Sequence, residues 1–305
     1  MVFFFFLTIL ILSCKNTKSS DDKQSFYSLY EVEYITKIKS NEIKESSGLA
    51  NSPCQPEILW THEDSEGDSF VFAISLQGDH IATFKVKDAE NIDWEDIAIR
   101  KEGDRCFLYI GDIGIGKGSR KNFTIYKVEE PKIDGKTYSS KQSPIWINKI
   151  GVIKISHPGG STRHDAETLL VNPQSGDLYI LTKNMVGPST VYKLRANKLS
   201  ENSIKTLEKI AEIEMPSIPS GFLTGGSISF DGRSVVLCDY FGAYELILPK
   251  DAKNFDEVWL QTPKKIELPK RKQGEAVAYS VDGKALFATS EGTEPPLIKL
   301  KRIVK

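Results

Sequence analysis

Acidic residues stand at the mouths of the most apolar stretches of this chain. Glu45 leads into SSGLA, Glu95 and Asp96 lie in WEDIAI, Glu167 in AETLLV and Glu275 in GEAVAY, while a fifth stretch of the same kind, GGSISF from Gly225, carries no acid. Each is followed by a turn and a second apolar run: ILWTHEDS, CFLYIGDIG, DLYILTKN, SVVLCDYFG and ALFATSEG. These second runs end in His62, Glu63, Asp64, Asp112, Lys183, Asp239 and Glu291. If each pair is an antiparallel hairpin, the start of its first strand and the end of its second fall at the same end. Carboxylates gathered there raise one another's pKa and call for a counter-ion. A set of hard oxygen donors points to Ca²⁺ rather than zinc or copper. The expected ligands are Glu45, Glu95, Glu167, Glu275, Asp64, Asp112 and Glu291. His62, beside Asp64, and His164, beside Asp165, are candidate general bases near a cation-activated water. Lys183 either binds an anionic substrate or neutralises the acids. The competing reading makes the acids turn caps and ion-pair partners that hold structural units together.

The elements that must position these residues are strands. Third runs follow as FVFAISL, NFTIYKVEEP, STVYKLR, GAYELILP and PLIKLKRIV, and fourth runs as HIATFKV, IWINKIGVIKI, LEKIAEIEM and VWLQTPKKIEL. Gly176, Gly232 and Gly283 mark short hairpin turns. Four-stranded units repeating with β-branched and aromatic residues and almost no helical period predict an all-β fold, a β-propeller. Five blades are counted, and the PKIDGKTYSSKQSP stretch leaves room for a degenerate sixth. The fifth unit lacks a fourth strand, and YEVEYITKIK near the N-terminus is expected to supply it and close the ring. Trp60 and Trp94 are expected to pack between blades.

The first fourteen residues, MVFFFFLTILILSC, form an apolar run too short to cross a bilayer as a helix but of signal-peptide length. Ile11-Leu12-Ser13-Cys14 resembles a lipobox, so residues 1–13 read as a lipoprotein signal peptide, with Cys14 as the lipidated first residue. Residues 14–25 read as a polar tether and 26–305 as a single propeller domain. The chain is thus expected on the bacterial cell envelope, periplasmic or surface-exposed, membrane-anchored through lipid alone and monomeric. With 40 basic and 41 acidic residues there is no field to favour nucleic acid. Cys54, Cys106 and Cys238 are widely spaced and without a CxxC pair, which predicts neither a disulfide framework nor a zinc site. The loop from Gly111 to Ser119 imitates a phosphate-binding loop, but a strand follows it where a helix is needed, so it reads as a Gly-rich hairpin. Neither GxSxG nor HExxH occurs.

The stretches WTHEDSEGDSF, IDWEDIAI, LYIGDIG, HDAETLLVNPQSGDLYILTK and TSEGTEPPLIKL resemble a group of secreted bacterial propeller proteins whose motifs read WTHNDSG, DWEDIA and GDIGDN. Here Glu63 stands for the Asn, and Ile115 and Gly116 for the final Asp and Asn. More distantly, Ser47-Gly48-Leu49, Glu95 and Glu275 resemble first strands of the SdiA-regulated and esterase-like-phytase propellers. That resemblance implies phosphoesterase chemistry and Ca²⁺ binding. The expectation is therefore a propeller that binds a divalent cation at an acidic rim and hydrolyses a phosphoester or ester of a small-molecule or polymeric substrate. The alternative is a non-catalytic binding or scaffold propeller with structural acids.

Overall fold

In the computed structural model the described residues are 29–64, 67–116, 118, 120–160, 165–199 and 203–303. The calls on Cys14, on the signal peptide and tether, and on His164 lie outside them. Five sheets, antiparallel through their first four strands, are arranged as blades, with inner strands Ser46–Asn51, Trp94–Glu102, Ala166–Val171, Gly225–Ile228 and Gly274–Tyr279. The first, third and fifth of these are buried at every residue, because neighbouring blades cover both faces. Such strands read as continuous apolar runs rather than as alternation. Outermost strands such as Tyr30–Lys37 are mostly exposed or half-buried.

Ring closure is as expected: Tyr30–Lys37 pairs antiparallel with Pro296–Arg302 as the outer strand of blade 5, so the last blade is built from both ends of the chain. The buried apolar side chains form five clusters among the described residues, one at each interface between successive blades. Trp60 and Trp94 lie in the first, between blades 1 and 2. Five interfaces closing a ring of five sheets leave no place for a sixth blade.

Two of the expected fourth strands are different elements. IWINKIGVIKI is divided: Ile145–Ile147 adds parallel to the edge of blade 1, and Ile150–Ser156 is the fourth strand of blade 2. The long stretch before it therefore crosses to the neighbouring blade and covers an open edge. In VWLQTPKKIEL only Lys264–Ile266 is strand, while Phe255–Leu260 is a 3₁₀ segment capped by Asn254 and Glu257.

The cysteine reading also needs correction. Cys54 and Cys106 form a disulfide, with Cα atoms 6.1 Å apart, that ties the turn of blade 1 to the second strand of blade 2. In a ring, the turn that ends one inner strand lies at the same end as the start of the next blade's second strand, so cysteines 52 positions apart become neighbours. Cys238 is free and buried. Among the described residues no helix is long and apolar enough to cross a membrane.

Candidate functional site at the channel mouth

A backbone irregularity aims the acids. The inner strand of blade 2 shifts register against its partner between Trp94 and Asp96, that of blade 3 between Ala166 and Thr168, and that of blade 5 between Gly274 and Ala276. The residue left over in each is a glutamate: Glu95, Glu167 and Glu275. A β-bulge gives its strand one extra residue and redirects that side chain. Blade 4 pairs without a shift and has glycines there instead. In blade 1 the shift falls between Ser47 and Ala50, and Glu45 lies before it.

The three bulge glutamates are 5%, 7% and 4% exposed. Carboxylate oxygens of Asp64, Asp93 and Glu95 lie within 4.8 Å of one another, and so do those of Glu95, Asp165 and Glu167. Glu95 is common to both groups. Burial first, and then the charges of Glu167, Asp64, Asp93 and Asp165, push the Glu95 pKa well above the usual carboxylate range. Burial likewise lifts Glu167 to about 8 against the pull of Lys183, and lifts Glu275 to about 9 with help from Glu167. Burial also raises Asp165 and Glu291.

Among the described residues, Lys183 is the cation bonded to this group. Its Nζ donates to Glu167 Oε1 at 2.9 Å and to Tyr240 Oη at 3.4 Å. Burial opposes the ammonium, but the charges of Glu167 and Glu275 outweigh it and raise its pKa. Among the described residues, the Lys183 ammonium thus acts on Asp165, Glu167 and Glu275.

Asp112 is not in this group, contrary to expectation. Both of its oxygens accept from the Arg120 guanidinium at 3.0 Å, and Oδ1 also accepts the Asp93 N–H at 2.9 Å. Arg120 Nε donates to the Gly114 carbonyl, Gly116 N–H donates to Asp93 Oδ2 at 2.6 Å, and Ile115 N–H donates to Asp165. The Gly-rich stretch after Asp112 is therefore the floor of the site, stapled by Arg120. A Cβ on Gly114 would sit 2.0 Å from Glu95 Oε1 and 2.2 Å from Asp93 Oδ2, so only glycine lets these carboxylates lie on that backbone.

Other expected residues divide as follows. The side chain of Glu45 is exposed and acts on Glu291 through its charge, while its carbonyl accepts the Asp64 N–H at 3.3 Å. His62 is fully buried, its Nδ1 donating to the Glu63 carbonyl at 2.9 Å and its ring edge-on to Trp94. Burial lowers its pKa to about 4. It is a neutral packing residue with no opening to the mouth, which corrects its assignment as a base. Asp96 accepts N–H bonds from Ile97 and, across the interface, from Leu169, and so joins blades 2 and 3. Asp239 caps the turn at Phe241 and Gly242. Asp93 and Asp165, outside the expected ligand set, are central to the site.

No protein-family model matches the chain, and no curated protein matches it by sequence. Among solved structures it is similar to a protein described as a gluconolactonase from Xanthomonas campestris, with a TM-score of 0.46 and 13% identity over 87% of this chain and 89% of that one.

Proposed function

We propose that the channel mouth binds a divalent cation, Ca²⁺ by the chemistry of its donors, and hydrolyses a phosphoester or ester there. The observation that carries this reading is the pair of carboxylate groups sharing the buried Glu95, whose ionised form is opposed by burial and by neighbours of its own sign. Asp64, Asp93, Glu95, Asp165 and Glu167 would hold the ion, all with the oxygen donors that Ca²⁺ prefers. When bound, the cation would act as a Lewis acid toward a phosphoryl or carbonyl oxygen. Gly114 and the backbone N–H groups of Ile115 and Gly116 keep the carboxylates in place, and Lys183 holds Glu167. One observation favours the non-catalytic alternative: among the described residues no histidine opens onto the site.

Thermal unfolding with Ca²⁺ and with chelator tests the first half. A ligand at 100 times its Kd adds about 2.7 kcal/mol to the native state, so Ca²⁺ should raise the melting temperature by several degrees. Superimposed curves would remove the cation. Chelator-sensitive turnover on a panel of phosphoesters and esters tests the second half, and a panel without turnover from a protein that does bind Ca²⁺ would leave the binding module.

Arg120 supplies a further test of the same site. Arg120→Gln should weaken Ca²⁺ binding by about 10- to 100-fold, the usual cost of losing a group that orients metal ligands. That substitution also strands the buried Asp112 carboxylate, so it should be paired with Arg120→Gln/Asp112→Asn, which carries no unpaired charge. Unchanged affinity in the double variant, read by calorimetry, would show that the staple does not orient Asp93.

A further inference from the structure

The channel mouth has two unlike sides. Toward blades 5 and 1 its surroundings are polar: Glu45 is exposed, Glu63 is paired with Lys141, and Glu291 accepts from Gln273. Toward blades 3 and 4 they are apolar. Met185 and Val186, in the loop that ends the second strand of blade 3, are 67% and 90% exposed. Ile218, in the loop that enters blade 4, is 96% exposed, and Phe241, after its second strand, is 70% exposed. By the antiparallel rule all three loops lie at the same end as the acids.

A continuous run of contacts joins this lip to the site. Gly221–Phe222 pairs with Lys183–Asn184, so the two loops share a short ladder. A Cβ on Gly221 would lie 2.4 Å from the Gly187 carbonyl, so they are packed backbone to backbone. The Lys183 ammonium lies 4.9 Å from the Phe222 ring centre and 5.1 Å from that of Tyr240. Phe222 meets Tyr240 edge-on at 4.8 Å, and Tyr240 is followed by Phe241. The same Lys183 bonds Glu167, so one side chain marks the border between carboxylates and lip. Its charge is taken up by that bond, and the lip residues bring none of their own. Exposed apolar side chains grouped beside a polar pocket mark a binding surface rather than chance.

Resting on the cation reading, we propose that the ligand of this site is a small amphiphile. Its anionic or ester oxygens lie at the cation, and its apolar chain or ring lies across Met185, Val186, Ile218, Tyr240 and Phe241. A wholly polar ligand would leave the lip in water, and a wholly apolar one would leave the carboxylates without a partner. Among the described residues, the side toward blades 5 and 1 is polar, so the lip also sets the direction in which the ligand lies.

The test is calorimetric titration of the purified protein, in Ca²⁺, with n-alkylphosphonates from methyl to octyl. Affinity should rise with each methylene, by up to about fourfold. Ile218→Ser/Phe241→Ser, which alters only exposed side chains, should flatten that dependence and leave methylphosphonate binding unchanged. Glu95→Gln should remove binding at every chain length. Binding that requires Ca²⁺ but is indifferent to chain length would overturn the amphiphile and leave the cation standing. Chain-length dependence that survives the serine substitutions would overturn the lip. A chain-length series that is flat in the unsubstituted protein, together with binding to phosphatidylcholine vesicles that the serine variant loses, would assign the lip to a lipid surface instead. Absence of Ca²⁺ binding itself would bring down the underlying reading, and it is read in the same instrument before any phosphonate is added.

Discussion

Glu95→Gln should make the cation-free protein more stable at pH 8 and, at the same time, abolish its response to Ca²⁺. The two effects share a cause. Glu95 is buried among Glu167, Asp64, Asp93 and Asp165, so its charged form is opposed both by desolvation and by neighbours of its own sign. A glutamine of nearly the same shape removes both costs, for a gain of about 1–2 kcal/mol. It also removes the carboxylate common to both ligand groups, and with it the stabilisation that Ca²⁺ would add. The pH dependence has a definite sign. Glu167 and Glu275, at about 8 and about 9 in the folded protein, bind protons there that an unfolded carboxyl, with its pKa near 4.5, has already released. The native state then holds more protons than the unfolded one, so stability falls as pH rises from about 4.5 to about 9. Bound Ca²⁺ needs ionised carboxylates, so its contribution grows over the same interval, and the gap between curves with and without Ca²⁺ should widen with pH. Urea unfolding at pH 5, 7 and 9, with Ca²⁺ and with chelator, measures all of this. A Glu95→Gln protein that is less stable without the ion, and still stabilised by it, would mean that the carboxylates are not a cation site.

What could be read from residues alone, and what could not, divides by the distance over which the physics acts. SSGLA, AETLLV and GEAVAY announce inner strands because both faces are covered, and YEVEYITK announces a closing strand because blade 5 is one strand short. The gathering of Glu95, Glu167 and Glu275 at one mouth follows from hairpin geometry and was legible as well. The place of Glu45 was not. It precedes an apolar run as the others do, but a bulge is defined by pairing with a partner strand, and that pairing leaves Glu45 outside. Asp112 resembled a ligand because it ends a second strand, yet Arg120 folds back over it from eight positions away, and nothing in GDIGIGKGSR announces the return. The Cys54–Cys106 bond joins two blades, a relation that exists only after the ring has formed.

Glu245→Ala should be the most damaging single substitution in the fold, costing about 3–5 kcal/mol, the usual result of removing one partner from a buried ionic network. Glu245 lies on the third strand of blade 4 and is fully buried. Its Oε1 accepts from Tyr30 at 2.9 Å, from Tyr279 at 2.7 Å and from Arg302. Those three donors sit on the N-terminal closing strand, the inner strand of blade 5 and the last strand before the C-terminus. One carboxylate of blade 4 therefore binds both chain ends into blade 5. Alanine would leave a half-buried guanidinium and two buried phenols without their acceptor, and would loosen the strand that closes the ring. Glu245→Gln keeps an acceptor oxygen and should cost less. Replacing Glu245 and Arg302 together by leucine should recover part of the loss, since no charge is then left unpaired. Urea midpoints give the energies, and hydrogen exchange of Tyr30–Lys37 shows whether that strand opens first. A loss below about 1 kcal/mol for alanine would show that the apolar interface between blades 4 and 5 closes the ring without this network. The contrast with Glu95 decides the physics. Both are buried glutamates in the same ring, but Glu245 is surrounded by donors and Glu95 by acceptors, so neutralising one must weaken the fold while neutralising the other strengthens it.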